Sequence, residues 1–406
     1  MKRKKLLCAF AACLLALTPL GAFAAGEDGE YDMAYYGQFA GQNASINVFN
    51  WGEYISDGSD GALDVNKAFE ELTGIKVNYS TFATNEELYS KLKGGGAQYD
   101  VIIPSDYMIA RMIAEDMLEE LDFESIPAFE NIDEQYRNPE YDPENRYSVP
   151  YTWGTVGIIY NIGTVEEPVD SWSILWDEQY RGDILMFSNS RDAFGLTQKL
   201  LGYSLNTEDH DELRAACEKL KGQKPLVQAY VMDEIFDKML SGEAALAPYY
   251  AGDYLVMAED NEDLRFSIPK EGTNLFVDAV CIPKGAAHKA AAELYINFLC
   301  EPQVAADNIE YIGYSTPNKA AFALLDEEVQ NDPVRYPPAE ILKNTEPFLA
   351  LSPETSLLLD SLWTEVLSTD KGYNKWIMPV FVVVAVGFSI GINLARRYRK
   401  KKDTPY

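Results

Sequence analysis

From residue 45 onward, two spacings of apolar positions take turns along the chain. Ser45-Ile46-Asn47-Val48-Phe49-Asn50 alternates with the period of a half-buried strand. A helix ending at Thr73-Gly74 follows, then a strand from Ile75 to Tyr79 and a helix from about Glu86 to Leu92, stopped by Gly94-Gly95-Gly96. The glycine triplet lacks the Gly-Lys-Ser/Thr of a phosphate loop and reads as a helix stop. Next come a strand from Asp100 to Ile103 and a helix through Met117. Ser148 to Asn161 is one long extended apolar run, a candidate crossover between domains. Beyond it the spacing predicts a helix near Ser173 to Gln179, a strand from Asp183 to Phe187, a helix from Asp192 to Leu201, further helices through Leu240, and a strand from Ala244 to Tyr250. Phe276 to Pro283 is an apolar strand able to carry the chain back, and Asn308 to Asn318 reads as a helix end and loop. The last such helix has Ser352 as cap, Pro353 in its first turn, and Leu357, Leu358, Leu359 and Leu362 as its buried face. Alternating strands and helices predict an α/β fold with a parallel-rich sheet covered on both faces, and 406 residues suit two domains.

The two ends follow other patterns. Met1-Lys2-Arg3-Lys4-Lys5, an apolar run to about Leu20 and Ala22-Phe23-Ala24 make residues 1–24 a secretory signal, with cleavage before Ala25. The apolar run before Cys13 is too short for a lipoprotein site. Residues 25–44 are polar and rich in glycine and tyrosine without a period, which predicts a mobile leader. Residues 376–395 are uncharged and long enough, at ~1.5 Å per helical residue, to span a bilayer. The basic tail 396–406 then predicts a cytoplasmic stop, with Trp376 and Tyr398 at the interfaces. The expected product is exported and held on the outer side of the cytoplasmic membrane.

The net charge is −30, and the basic residues of both flanks leave the part between them more acidic still. Such a surface repels nucleic acid and attracts cations. Cys217, Cys281 and Cys300 are an odd set without metal-ligand spacing, and Cys281 and Cys300 lie in apolar runs as buried thiols. The chemistry concentrates at Trp51-Gly52-Glu53-Tyr54, just past the first strand, where open α/β sheets bind ligands. A carboxylate between an indole and a phenol can pair with an ammonium group while the rings cover its methylenes.

Asn50-Trp51-Gly52-Glu53-Tyr54, Ile103-Pro104-Ser105-Asp106-Tyr107, Val149-Pro150-Tyr151-Thr152-Trp153-Gly154, Phe276-Val277-Asp278 and Ile312-Gly313-Tyr314-Ser315-Thr316-Pro317-Asn318 come in an order that resembles the spermidine/putrescine-binding receptors of ABC importers. The resemblance covers about 45–370. It implies a two-lobe periplasmic-binding-protein fold of the second type, with 45–150 and about 279–320 as one lobe and 151–278 and about 321–370 as the other. It further implies a monomer without cofactor, metal or catalysis, which binds a polyamine in the interlobe cleft and delivers it to permease subunits and their ATPase. Carried over by position, Trp51, Glu53, Tyr54, Ser105 and Tyr107 would come from the first lobe, Asn189, Asp192 and Tyr249 from the second, Phe276 and Asp278 from the returning crossover, and Tyr314 from nearby. Asn189 stands where the family often has aspartate, Tyr249 and Phe276 where tryptophans are usual, and Phe348 near an expected glutamine. One fewer negative charge would favour a shorter polyamine or a weaker hold on a central amine.

Other classes fit less well. A hydrolase built on Glu53 and Asp278 would be one of many acidic pairs in so acidic a chain, and His210 and His288 lie in no nucleophile or HExxH context. The same fold could take a ferric ion, a thiamine-like cation or a phosphonate. Ferric ion calls for clustered phenolates and a phosphonate for arginine or helix amino-termini, whereas the set here is carboxylates and rings. Asp57-Gly58-Ser59-Asp60-Gly61-Ala62-Leu63-Asp64 lacks the spacing and terminal glutamate of an EF-hand and reads as a solvated turn.

Overall fold

The computed structural model describes residues 31–95 and 98–369. The expected signal (1–24) and the span and tail (376–406) lie outside them; among the described residues no helix is long and apolar enough to cross a membrane.

Ten strands form one sheet: β1 Ser45–Trp51, β2 Lys76–Phe82, β3 Val101–Ile102, β4 Ser148–Asn161, β5 Ile184–Phe187, β6 Val227–Val231, β7 Leu246–Tyr250, β8 Leu264–Ser267, β9 Thr273–Cys281 and β10 Thr345–Glu346. Their order is β2-β1-β3-β9-β4-β7-β5-β6, with β8 on β4 and β10 on β9. At one end β1 runs parallel to β2 and β3; at the other β5 runs parallel to β6 and β7. Between these parallel groups lie β4 and β9, antiparallel to each other, with a register shift between Pro150 and Thr152. Two parallel α/β units are thus joined through a pair of long strands, which gives the molecule two lobes.

Local chemistry sets where the helices begin and stop. Asp64 caps Val65–Thr73 through Lys67 N, and Gly74 ends it at φ 74°. Thr84 caps Asn85–Lys93 through Glu87 N, and Gly94 follows as its carboxyl cap. Ser352 caps Pro353–Ser368 through Thr355 N. These side chains satisfy amide groups that a helix terminus cannot pair internally.

Four expectations change. Residues 31–44 do not behave as a leader: a one-turn helix, Met33–Tyr36, packs Tyr36 into the core, where its phenol donates to Glu301 Oε1 (2.5 Å) and accepts from Asn297 Nδ2 (2.7 Å). Tyr31 and Tyr36 meet edge to face at 5.5 Å, so ring packing without sequence period holds this segment. The helix expected at Ser173 to Gln179 is two 3₁₀ turns, Trp172–Trp176 and Glu178–Tyr180. The stretch read as helical through Leu240 contains β6, pinned against β5 by its parallel pairing. In Pro353–Ser368, Leu357 is 71% exposed and the inner face is Thr355, Leu359, Leu362, Trp363 and Val366, because the helix lies against His210–Gln223 on a different stripe.

Candidate functional site

A cleft enclosing about 610 Å³, its open mouth included, lies between the lobes. Its walls are the carboxyl ends of parallel strands. Trp51 ends β1 and Gly52 to Tyr54 follow it, Ser105 and Tyr107 follow β3, Asn189 and Asp192 follow β5, Met232 and Asp233 follow β6, Tyr249 and Tyr250 close β7, and Asp253 lies in the helix after it. Strand direction therefore delivers these side chains from both lobes to one crevice. Phe276 and Asp278 come from β9, which joins the lobes.

Asp278 is the least exposed of the acids that line the cleft. Its Oδ2 accepts from the Tyr54 phenol at 2.6 Å, while Oδ1 is buried without a partner among the described residues. Burial pushes its carboxyl up to about 6, against the Tyr54 hydrogen bond that favours the ionised form. Asp192 opens the helix Ser190–Leu201, and its Oδ2 accepts from Tyr250 and from Asn189 Nδ2, both at 2.8 Å. Burial carries it to about 7. Asp253 takes the Tyr314 phenol at 3.0 Å and is held well above the carboxylate range by burial. Buried acids bonded chiefly to neutral donors form a site that gains from an added cation.

Aromatic rings fill the space between the acids. Tyr54 meets Tyr314 at 4.7 Å, Tyr314 meets Phe276 at 6.2 Å, and Phe276 meets Tyr250 at 5.4 Å. Tyr107 and Phe348 meet at 5.8 Å on another stretch of wall. Phe276 lies across Gly154, where a Cβ would sit 2.8 Å from its Cζ. Gly313, at φ 78°, ends Pro302–Ile312 so tightly against Gly252 O that a Cβ would lie 2.5 Å from it, and this turn delivers Tyr314. Glu53 sits exposed beside the cleft at φ 47°, a left-handed backbone uncommon for a residue with a side chain.

A family model described as bacterial extracellular solute-binding protein matches residues 65–337. The spermidine/putrescine-binding periplasmic protein of Escherichia coli K12 is 38% identical over 310 residues, covering 76% of this chain and 87% of that one. The chain belongs to the bacterial extracellular solute-binding protein family. A second relative of this solute-binding protein, the putrescine-binding periplasmic protein of Pseudomonas aeruginosa, is 30% identical and covers 88% of this chain and 98% of its own. The solved structure of a spermidine/putrescine ABC transporter protein, described as putative, from Listeria monocytogenes superposes with a TM-score of 0.76 at 37% identity, covering 80% of this chain and 99% of that one. The two-lobe fold expected from the sequence is the fold of these relatives.

In this solute-binding protein Trp51, Glu53, Tyr54, Ser105, Tyr107, Asn189, Asp192, Tyr249, Phe276, Asp278 and Tyr314 all line the one cleft. Their roles differ in detail. Ser105 stands at a helix cap position but makes no cap bond, and its hydroxyl instead accepts from Asn85. Asn189 spends its oxygen on Arg191 N and its amide on Asp192, so it shapes an acid without adding charge. Tyr249 is buried and stacks on Phe187, while its neighbour Tyr250 reaches Asp192. Sequence reasoning missed Tyr250, Asp233, Asp253 and Asn85. The first three lie at or just after the ends of β6 and β7; recognising β6 would have pointed to Asp233, whereas Tyr250 and Asp253 follow a strand end that the sequence did show.

Proposed function

We propose that this chain is the extracytoplasmic receptor of a polyamine importer of the ABC class. It binds spermidine or putrescine between its lobes and performs no chemistry. The observation that carries the reading is Asp278, whose buried Oδ1 has no partner among the described residues, in a cleft lined by aromatic rings and further acids. Ammonium groups would pair with Asp278, Asp192, Asp253 and Glu53, and methylenes would lie on Trp51, Tyr54, Tyr107, Tyr250, Phe276 and Tyr314. Ring faces attract cations by about 0.5–2 kcal/mol each, depending on desolvation. Relatives whose names carry the same two amines support the choice of ligand.

Within this reading 45–150 with about 279–320 form one lobe and 151–278 with about 321–370 the other, closing on ligand by hinge motion. Residues 1–24 direct export and 376–395 hold a monomeric receptor beside its permease and ATPase, in place of a lipid tether. Calorimetric titration of residues 26–374 with putrescine, spermidine and spermine tests the ligand class. Saturable binding of one of them, weakened a hundredfold or more in Asp278→Asn, is expected, since breaking a buried charge pair costs about 3–5 kcal/mol. No heat and no thermal shift with any of them, on folded protein freed of co-purified ligand, would sink the reading.

A further inference from the structure

Asn274 is only 6% exposed, and its Oδ1 is buried without a partner among the described residues. It lines the interlobe cleft. Alternate residues of a strand share a face, so Asn274, Phe276 and Asp278 form one row along β9, and all three reach the cleft. The helix Ser190–Leu201 runs into the cleft beside that row. Lys199 donates at 2.6 Å to Glu346, the β10 residue paired with Asn274. Gly195 packs on Phe348, where a Cβ would lie 2.9 Å from Cζ, and Asp192 enters the cleft a turn further on. Asn274 therefore stands on the same wall as Asp192. Oδ2 of Asp192 already accepts from Tyr250 and Asn189. An ammonium group has three N–H donors and no acceptor, so one that pairs with Asp192 still has donors to satisfy inside the cleft. An amide oxygen can take one of them without adding a second buried charge.

Resting on the polyamine reading, we propose that Asn274 is a ligand-binding and specificity-determining residue: its Oδ1 accepts an N–H of the primary ammonium that Asp192 neutralises, at the end of the cleft where Ser190–Leu201 meets β9. Asp192 supplies the charge, and Asn274 reads the hydrogens. An amine end that bears alkyl groups keeps its charge for Asp192 but loses the donor that Asn274 needs. The site thereby selects free amine ends over alkylated ones of equal charge.

The test uses the full chain purified in mild detergent and titrated with 1,4-diaminobutane, with spermidine, and with the derivative of each that carries two methyl groups on both terminal nitrogens. A dimethylated end keeps its charge and one N–H, enough for Asp192 alone. Asn274→Leu, close in volume and without the oxygen, should weaken the tighter-binding parent amine on the order of tenfold, the scale of one hydrogen bond to a charged group. It should change binding of the methylated derivative by less than about twofold, since the oxygen has no donor there to lose. Equal losses for parent and derivative would make Asn274 a packing residue, and no loss for the parent would make it a bystander; either result overturns the proposal. Where the variant does not fold or the derivatives do not bind, a co-crystal structure of the native chain with the parent amine decides. Oδ1 within about 3.2 Å of a terminal nitrogen is the expected result. Oδ1 out of reach of the ligand overturns the proposal, as does a bond from Oδ1 to the amide of Gln198, which is also buried without a partner among the described residues, on the helix that packs against β9. If neither parent amine binds the native chain, the polyamine reading falls, and this inference with it.

Discussion

Burial sets Asp192 near 7 and Asp278 near 6, so both acids titrate close to neutrality. The direction of the effect on binding follows from which form attracts an ammonium group. Above these values the carboxylates are ionised and pair with a cation; as pH falls through 7 and then 6 they take up protons and the pairing is lost. Affinity should fall between pH 8 and pH 5.5, by up to about tenfold per unit for each protonated acid. Binding near pH 7 should release protons, measurable as a dependence of the calorimetric heat on buffer ionisation. Asp192→Asn should remove the upper step, and a flat profile in the native protein would count against the assignment. Tyr54→Phe deletes one donor to Asp278 and keeps the ring. It should weaken binding by about 1–3 kcal/mol, the usual loss when a hydrogen bond to a charged group goes.

At the scale of elements, glycines and strand ends decide the outcome. Gly313→Ala must place a Cβ against Gly252 O and hold a left-handed backbone, so it should lower stability by more than 1 kcal/mol and weaken ligand binding by displacing Tyr314. Denaturant midpoints and titration would show the two effects together. Tyr36→Ala, far from the cleft, should cost about 3–5 kcal/mol of stability with affinity unchanged, as expected of an emptied aromatic site. Much of this level was legible in the sequence. Ser45-Ile46-Asn47-Val48-Phe49-Asn50 announced β1 by its period, and Ser148–Asn161 was continuous enough to mark the crossing strand. β6 was not legible, because five residues between two helices give no period that outweighs their neighbours. Asp233 went unseen with it, since an isolated aspartate in so acidic a chain signals nothing until a strand end places it. The Met33–Tyr36 turn escaped for a related reason: Tyr36 is held by an edge-to-face contact with Phe298 and a hydrogen bond to Glu301, both distant in sequence.

For the whole molecule, a net charge of −30 with a cleft of buried acids predicts an association rate that falls with salt. Stopped-flow rates for putrescine at low and at physiological ionic strength would measure it. Deleting residues 376–406 should release a protein that still binds but supports less uptake in cells, and unchanged surface retention would count against the anchor. Asp278 also sits in an informative place on the sheet. It pairs across from Thr152 on the ribbon formed by β4 and β9, next to the register shift after Pro150. In the proposed closing motion that ribbon is the pivot. The charge reader therefore works at the fulcrum, at the short end of the lever, where a small local twist becomes a wide swing at the lobe tips.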